Sequence, residues 1–159
     1  MTARSVTHAT FHIERLFEAS PARIWAAFSD PARKAAWACH ETWVMKEMTF
    51  AVGGREVSGG SDPDGPHWEF DGTYLDITPG ERFVLAYTMR RDGVPVSASI
   101  ITWQLFPDPK GARLLFTDQG AYLDGHADPA DREAGSGVGL DNLAALLAVE
   151  GDDLPKESS

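Results

Sequence analysis

The sequence predicts a single α+β domain in which an antiparallel sheet of six to seven strands packs against one long C-terminal helix. Three observations support this prediction. Apolar residues alternate with a period of two between residues 40 and 123, and short turns separate the runs. The apolar period becomes 3.6 from Asp128 onward. Strands and helices therefore occupy separate parts of the chain, which is typical of α+β domains and not of βαβ repeats.

The 159 residues form one domain's length of chain. We expect this domain to cover residues 1–151. The polar segment DDLPKESS, residues 152–159, is expected to be a flexible C-terminal tail.

The first elements are a strand and two short helices. Residues 7–19 predict the strand, because Phe11, Ile13 and Phe17 share one phase. Ser20 followed by Pro21 predicts a helix start, since serine caps helix N-termini and proline suits the first helical position. Asp30 is expected to cap a second short helix that continues to about Trp37.

The middle of the chain predicts a meander of antiparallel hairpins. Glycine-containing turns at 53–54, 61–65, 78–80, 92–93 and 107–111 separate the apolar runs. The predicted strands are residues 40–52, 55–61, 68–77, 81–90, 94–106 and 112–123.

The C-terminal helix is expected to begin after Asp128 and to end at Gly151. Its apolar stripe contains Leu140, Leu143 and Leu147. Three glycines, at positions 135, 137 and 139, provide almost no bulk, although each costs about 0.8–1 kcal/mol relative to alanine inside a helix. They indicate either that the first half of the helix is irregular or that another part of the chain approaches its backbone closely there. Opposite bulky strand residues, a thin helix could also leave a pocket lined by aromatic side chains.

The net charge of −10 excludes several classes of protein. Residues 117–159 carry two basic and ten acidic residues, so most of the negative charge lies in the last strand, the last helix and the tail. Nucleic-acid binding and docking on anionic membranes need a basic surface.

No apolar run is long enough to span a bilayer, and the N-terminus lacks the apolar region of a secretory signal. Because the single cysteine, Cys39, excludes an internal disulfide, we expect a cytoplasmic protein.

Three ordered segments resemble a known family. They are ERLFEASPARIWAAFSDPARKAAW (residues 14–37), FDGTYLDITPGERF (residues 70–83) and LLFTDQGAYLDG (residues 114–125), the last followed by Arg132, Gly135, Leu140, Asp141 and Leu143. In this order they resemble the START-like (SRPBCC) superfamily, in its branch of heat-shock ATPase activator homologues, which is also described as polyketide cyclase-like. The resemblance covers roughly residues 8–150.

The resemblance implies a helix-grip fold, in which a curved antiparallel sheet wraps around the C-terminal helix and leaves a cavity between them. It implies no single reaction, because members include metabolite binders, cyclases and lyases, and chaperone-associated domains. One residue departs from the family pattern. Ser136 stands where the family usually has tryptophan, which opens space at the mouth of a pocket or removes a plug from the core.

The predicted ligand site lies on the concave face of the sheet. Asp118 shares the strand phase of Leu114 and Phe116, so either its carboxylate lies at the pocket or a partner at the helix start holds it. It is the main candidate for an acid–base group, and Glu47 and Arg15 are weaker candidates because the sequence does not fix which face they occupy. The expected ligand-binding residues are Trp68, Phe70, Tyr74, Tyr87, Trp103, Phe116, Asp118 and Leu140.

No cofactor or metal site is expected. The GSGVG segment at 135–139 lacks the preceding strand that a dinucleotide loop requires. His8 and His12 lie on one face of a strand but about 13 Å apart, which is too far for one ion. Cys39 and His40 are adjacent on an extended segment and would point to opposite faces, so they do not predict a nucleophile with its base.

The sequence leaves three functions open. The first is the binding of a small apolar or aromatic molecule between the sheet and the C-terminal helix. The second is a lyase or cyclase that uses the same cavity, with Asp118 and Tyr74 or Tyr87 transferring protons. The third is a chaperone-associated interaction domain, which would need an exposed apolar patch. A homodimer is compatible with each of these functions.

Overall fold

The computed structural model describes residues 4–153 and contains one seven-stranded sheet and three helices. The strands are β1 (Val6–Phe17), β2 (Val44–Met48), β3 (Arg55–Ser61), β4 (His67–Thr78), β5 (Arg82–Arg91), β6 (Val94–Asp108) and β7 (Gly111–Leu123). The helices are α1 (Pro21–Ser29), α2 (Pro31–Ala38) and α3 (Pro129–Asp153). This architecture confirms the α+β class, the two short helices after β1 and the long C-terminal helix.

The predicted end of α3 is two residues too early, because the helix continues through Gly151 to Asp153. Residues 154–159 of the predicted tail lie outside the described residues. No helix in the described part of the chain has the length and apolar character needed to cross a bilayer.

The helix starts follow the capping residues seen in the sequence. The Ser20 hydroxyl accepts a hydrogen bond from the Arg23 N–H at 3.2 Å. The Asp30 carboxylate accepts one from the Ala32 N–H at 3.1 Å, and Asp128 accepts one from the Ala130 N–H at 2.9 Å. These side chains satisfy backbone donors that a helix N-terminus leaves free.

The strands form one curved antiparallel sheet in the order β1-β7-β6-β5-β4-β3-β2. Consecutive strands pair as hairpins, except that β1 closes onto β7. Gly53 and Gly93 have φ values of 84° and 80° in the hairpin turns, a conformation that favours glycine. β1 and β2 therefore form the two edges of the sheet.

The strand predicted over residues 40–52 is much shorter, since β2 covers only Val44–Met48. Glu41 has a φ of 56°, which places a turn before the strand. A bulge between Met45 and Glu47 then breaks the alternation. Phe50 lies beyond the strand end and packs edge-on against Tyr74 and Phe83. Phe50, which extended the predicted strand, thus packs against the core instead.

The core lies between the sheet, α1, α2 and the second half of α3. Phe28 contacts the rings of Phe83 and Trp103 at centroid distances of 5.5 and 4.9 Å. Leu140, Leu143 and Leu147 from α3 are buried in the same cluster. The buried leucines of α3 all lie in its second half, defined as residues 140–153, so the first half, residues 129–139, remains available to border a cavity.

Candidate functional site

A cavity of about 1070 Å³ lies between the concave face of the sheet and the first half of α3. Strands β4 to β7 form its floor, and the residues that follow α2, His40 to Trp43, border it on another side. This volume lies just above the range in which small-molecule sites usually fall, about 300–1,000 Å³.

The aromatic floor of the cavity follows from strand register. Trp103 on β6 lies opposite Phe83 on β5 and Phe116 on β7. Side chains alternate between the faces of a strand, so these paired residues all point to the concave side. The Trp103 and Phe116 rings meet edge-on at 4.6 Å. Phe70 on β4 stacks on Tyr87 of β5 at 4.5 Å.

The first half of α3 forms the opposite wall with Gly135, Ser136 and Gly139. A Cβ atom added at Gly135 would meet nothing within 4 Å, and one at Gly139 would reach only the Trp37 ring at 4.0 Å. These glycines therefore border open space and not a closely packed backbone. Ser136 also lines the cavity, so at this position a small side chain lies where an indole would occupy part of the volume.

Six of the eight predicted ligand-binding residues line this cavity: Trp68, Phe70, Tyr87, Trp103, Phe116 and Asp118. Tyr74 and Leu140 are 1% exposed and lie in the packed core instead. Tyr74 is held there by Phe50 and Phe83. Leu140 belongs to the leucine stripe that anchors α3. The strand and helix periods identify the inward face, but they do not distinguish the part that packs from the part that borders empty space.

Asp118 is the central polar residue of the floor. It is 1% exposed, whereas its neighbour Gln119 points outward. The Tyr87 hydroxyl donates a hydrogen bond to Asp118 Oδ2 at 2.7 Å. Arg132, in the first turns of α3, donates to the Tyr87 oxygen at 2.8 Å and to Ser97 Oγ at 2.8 Å. Asp118 is thus linked to the helix start through Tyr87.

The surroundings of Asp118 and Tyr87 shift their acidity. Burial raises the pKa of Asp118, and the Tyr87 hydrogen bond, the Arg132 charge and Ser99 partly offset this effect. Burial also raises the pKa of Tyr87, although the Arg132 charge opposes the shift. Tyr87 therefore keeps its proton at neutral pH and acts as a hydrogen-bond donor.

A second polar cluster, Lys34, Glu56 and Tyr74, was not identified from the sequence. Lys34 Nζ lies 3.5 Å from Glu56 Oε1, and both residues line the cavity although they are only 5% and 4% exposed. The Tyr74 hydroxyl donates to the same Glu56 oxygen at 2.5 Å. Lys34 Nζ also lies 4.7 Å from the Trp37 ring centre and 5.5 Å from that of Trp103. The three-residue spacing of Lys34 and Trp37 on α2 is the one sequence signal for this contact.

Other candidate groups do not assemble into a reactive site. Within residues 4–153, no three His, Cys, Asp or Glu side chains are placed to hold one metal ion. Cys39 ends α2 and is partly buried. Burial and the Glu56 carboxylate raise the pKa of its thiol, so the reactive thiolate is disfavoured.

Residues 18–148 match the sequence profile of a family described as activator of Hsp90 ATPase homolog 1-like protein. The chain belongs to this family. The match covers most of the domain and confirms the resemblance seen in the three sequence segments. No protein among those with curated descriptions matches the sequence.

Solved structures of similar proteins share the fold closely. An uncharacterized protein from Rhizobium leguminosarum is 39% identical, with a TM-score of 0.87 over 92% of this chain and 99% of that one. A protein from Rhizobium loti is 40% identical, with a TM-score of 0.82 over 90% and 99% of the two chains. A protein from Chromobacterium violaceum is 34% identical, with a TM-score of 0.73 over 87% and 96%.

Proposed function

We propose that this protein binds a small hydrophobic or aromatic molecule in the cavity between the sheet and the first half of α3. The observation that carries the proposal is the cavity itself, about 1070 Å³ in volume, with aromatic side chains on one wall and glycines on the other. Core side chains could fill such a space if its only role were structural, because protein interiors are normally close-packed.

The lining supports an apolar occupant with a few oriented polar contacts. Trp68 and Phe70 line the cavity and are partly exposed, so a ligand lying against them would replace water on their aromatic rings. Burial of apolar surface contributes about 25 cal/mol per Å² to such binding. Asp118 on the floor and Lys34 with Glu56 on the wall supply polar groups that can orient the ligand.

The proposal is tested with N-phenyl-1-naphthylamine, an uncharged dye whose fluorescence rises in apolar surroundings. We expect the dye to bind in a one-to-one complex. Ser136→Trp places an indole into the cavity and should weaken dye binding at least tenfold.

Val138→Trp is the matched control. Val138 is 52% exposed on the same helix, so its substitution adds an equal side chain outside the cavity. This variant should bind the dye as the unmodified protein does. Equal affinity of both variants would place the dye elsewhere and contradict the proposal.

A second candidate is a lyase or cyclase that acts in the same cavity. The buried Asp118, whose pKa is raised by burial and which bonds to the protonated Tyr87, favours this candidate. A metabolite extract incubated with the protein would be compared by mass spectrometry with one incubated with Asp118→Asn. A compound consumed only by the unmodified protein would support catalysis; a compound retained unchanged by both would support binding alone.

The family description names an activator of a chaperone ATPase, which suggests an interaction domain as a third candidate. Its support is weaker, because the larger exposed apolar side chains are spread over several elements. Val6 and Leu16 lie on β1, Ile100 on β6, and Val138 and Val149 on α3. Co-purification of a chaperone with the tagged protein would support this role.

A further inference from the structure

The hydrogen bonds around Tyr87 fix which atom of Asp118 remains free. An arginine can only donate, so the bond from Arg132 Nη1 occupies an acceptor site on the Tyr87 oxygen. The single Tyr87 proton then points to Asp118 Oδ2, 2.7 Å away. Oδ2 is therefore engaged as an acceptor. The other carboxyl oxygen, Oδ1, is left for a different partner.

Asp118 Oδ1 is buried and has no hydrogen-bond partner of normal geometry among the described residues. Asp118 lines the cavity. The nearby Ser99 hydroxyl is close enough to lower the pKa of Asp118, but it too makes no hydrogen bond of normal geometry among those residues. A buried polar atom without a partner costs about 1–3 kcal/mol, and more for a charged group. A ligand that donates a hydrogen bond to Oδ1 would remove this cost.

The charges around the cavity disfavour an anionic ligand. The cavity's basic side chains are Lys34, Arg91 and Arg132, together with two histidines, His40 and His126. Six acidic residues line it as well: Glu41, Glu56, Asp62, Asp118, Asp128 and Asp131. A cavity with more acidic than basic groups repels anions such as fatty acids. A cation would approach Asp118 next to the Arg132 guanidinium, which repels it. An uncharged ligand meets neither penalty.

We propose that the cavity selects an uncharged aromatic molecule that carries a hydrogen-bond donor, a hydroxyl or ring N–H group, and that this group donates to Asp118 Oδ1. The inference rests on the proposed binding function and defines the ligand class of that same site. The aromatic faces of Trp103 and Phe116 hold the ring system, and Asp118 sets its orientation.

Four naphthalenes of similar size test the proposal by displacing N-phenyl-1-naphthylamine at pH 8: naphthalene, 2-naphthol, 2-methoxynaphthalene and 2-naphthoate. A hydrogen bond to a charged acceptor corresponds to a preference of about tenfold to a hundredfold. We expect 2-naphthol to bind more tightly than 2-methoxynaphthalene by this factor, and 2-naphthoate to bind most weakly.

Asp118→Asn gives the decisive variant. Because Tyr87 must still donate to residue 118, the asparagine oxygen takes the place of Oδ2 and its NH₂ group takes the place of Oδ1. An acceptor becomes a donor, so the preference for 2-naphthol over its methyl ether should disappear or reverse. Unchanged binding of naphthalene shows that the variant is folded.

Glu133→Gln is the matched control, since it removes an exposed carboxylate of α3 that does not line the cavity and leaves Oδ1 in place. It should keep the preference for 2-naphthol. Equal binding of 2-naphthol and its methyl ether by the unmodified protein would overturn the inference, because Ser99 would then satisfy Oδ1. In that case dye binding that responds to Ser136→Trp would still support the proposed function. Absence of dye binding would overturn both.

Discussion

At the scale of single residues, the environment decides what each polar side chain of the cavity can do. Asp118 and Asp131 are both carboxylates of the cavity lining, yet only Asp118 is buried. Asp118 receives a hydrogen bond from Tyr87, which in turn receives one from Arg132. This directional chain leaves one oxygen of Asp118 available and gives the floor of the cavity a defined polarity.

The burial of Asp118 predicts a specific pH dependence of stability. Burial raises the pKa of this carboxyl, so its contribution to folding is largest when it is protonated, below the ordinary pKa. That contribution is lost as the pH rises through the raised pKa. Asp118→Asn cannot ionise. The free energy of unfolding of the variant relative to the unmodified protein should therefore increase from pH 4 to pH 8.

Urea denaturation at several pH values measures this difference. The comparison between the two proteins cancels other titrating groups, including Asp124, whose pKa is lowered by hydrogen bonds from Ser5 and Arg4. A difference that stays constant or decreases with pH would contradict the buried placement of Asp118.

The pair of Lys34 and Glu56 predicts a large effect of removing one partner. Both side chains are about 5% exposed and their charged atoms lie 3.5 Å apart. Glu56→Gln leaves the Lys34 ammonium buried without a counter-charge and should lower the free energy of unfolding by about 3–5 kcal/mol. The double variant Lys34→Met/Glu56→Gln should recover much of this loss. A loss below about 1 kcal/mol for Glu56→Gln would show a solvated pair, as at exposed sites.

At the scale of elements, α3 divides into two halves with different tasks. The second half buries Leu140, Leu143 and Leu147 and fixes the helix on the core. The first half has glycines at 135, 137 and 139 and borders the cavity. Glycine lowers helix stability, so the glycines make the first half of α3 locally less stable while they leave space for the cavity.

This division predicts that alanine is tolerated in the first half. A Cβ atom at Gly137 would meet only Arg15 Nη2, at 3.6 Å, which is an ordinary contact. Gly137→Ala should therefore raise the free energy of unfolding by up to about 1 kcal/mol. Gly111→Ala is the contrasting control, because its Cβ would lie 2.2 Å from the Phe17 carbonyl oxygen and the residue has a φ of 146°. It should destabilise. Destabilisation by Gly137→Ala would contradict a regular helix at this position.

The sequence predicts elements more completely than it predicts the site. Period and turn chemistry identified all seven strands and three helices, and the main error was the length of β2. They also placed Trp103, Phe116 and Asp118 on the concave face. The same patterns could not show that Tyr74 lies in the core and not in the cavity. That outcome depends on which part of β4 lies beneath α3, and tertiary packing decides it. Lys34 was missed because its cavity-facing position depends on how α2 packs against the sheet.

At the scale of the whole molecule, the curved sheet and α3 enclose a core at one end and a cavity at the other. The protein has a net charge of −10, and several of its acidic residues lie at the cavity rim. The acidic residues at the rim disfavour anionic ligands in the cavity. Solved structures of proteins that are 34–40% identical share the fold and support the architecture, while the proposed selectivity depends on the individual residues of this chain.

A crystal structure of the protein with N-phenyl-1-naphthylamine tests the central claim most directly. The proposed function predicts electron density for one dye molecule between Trp103, Phe116 and Gly139, with the dye N–H group near Asp118 Oδ1. Density for the dye only on the outer surface, with side chains filling the space beneath α3, would contradict it.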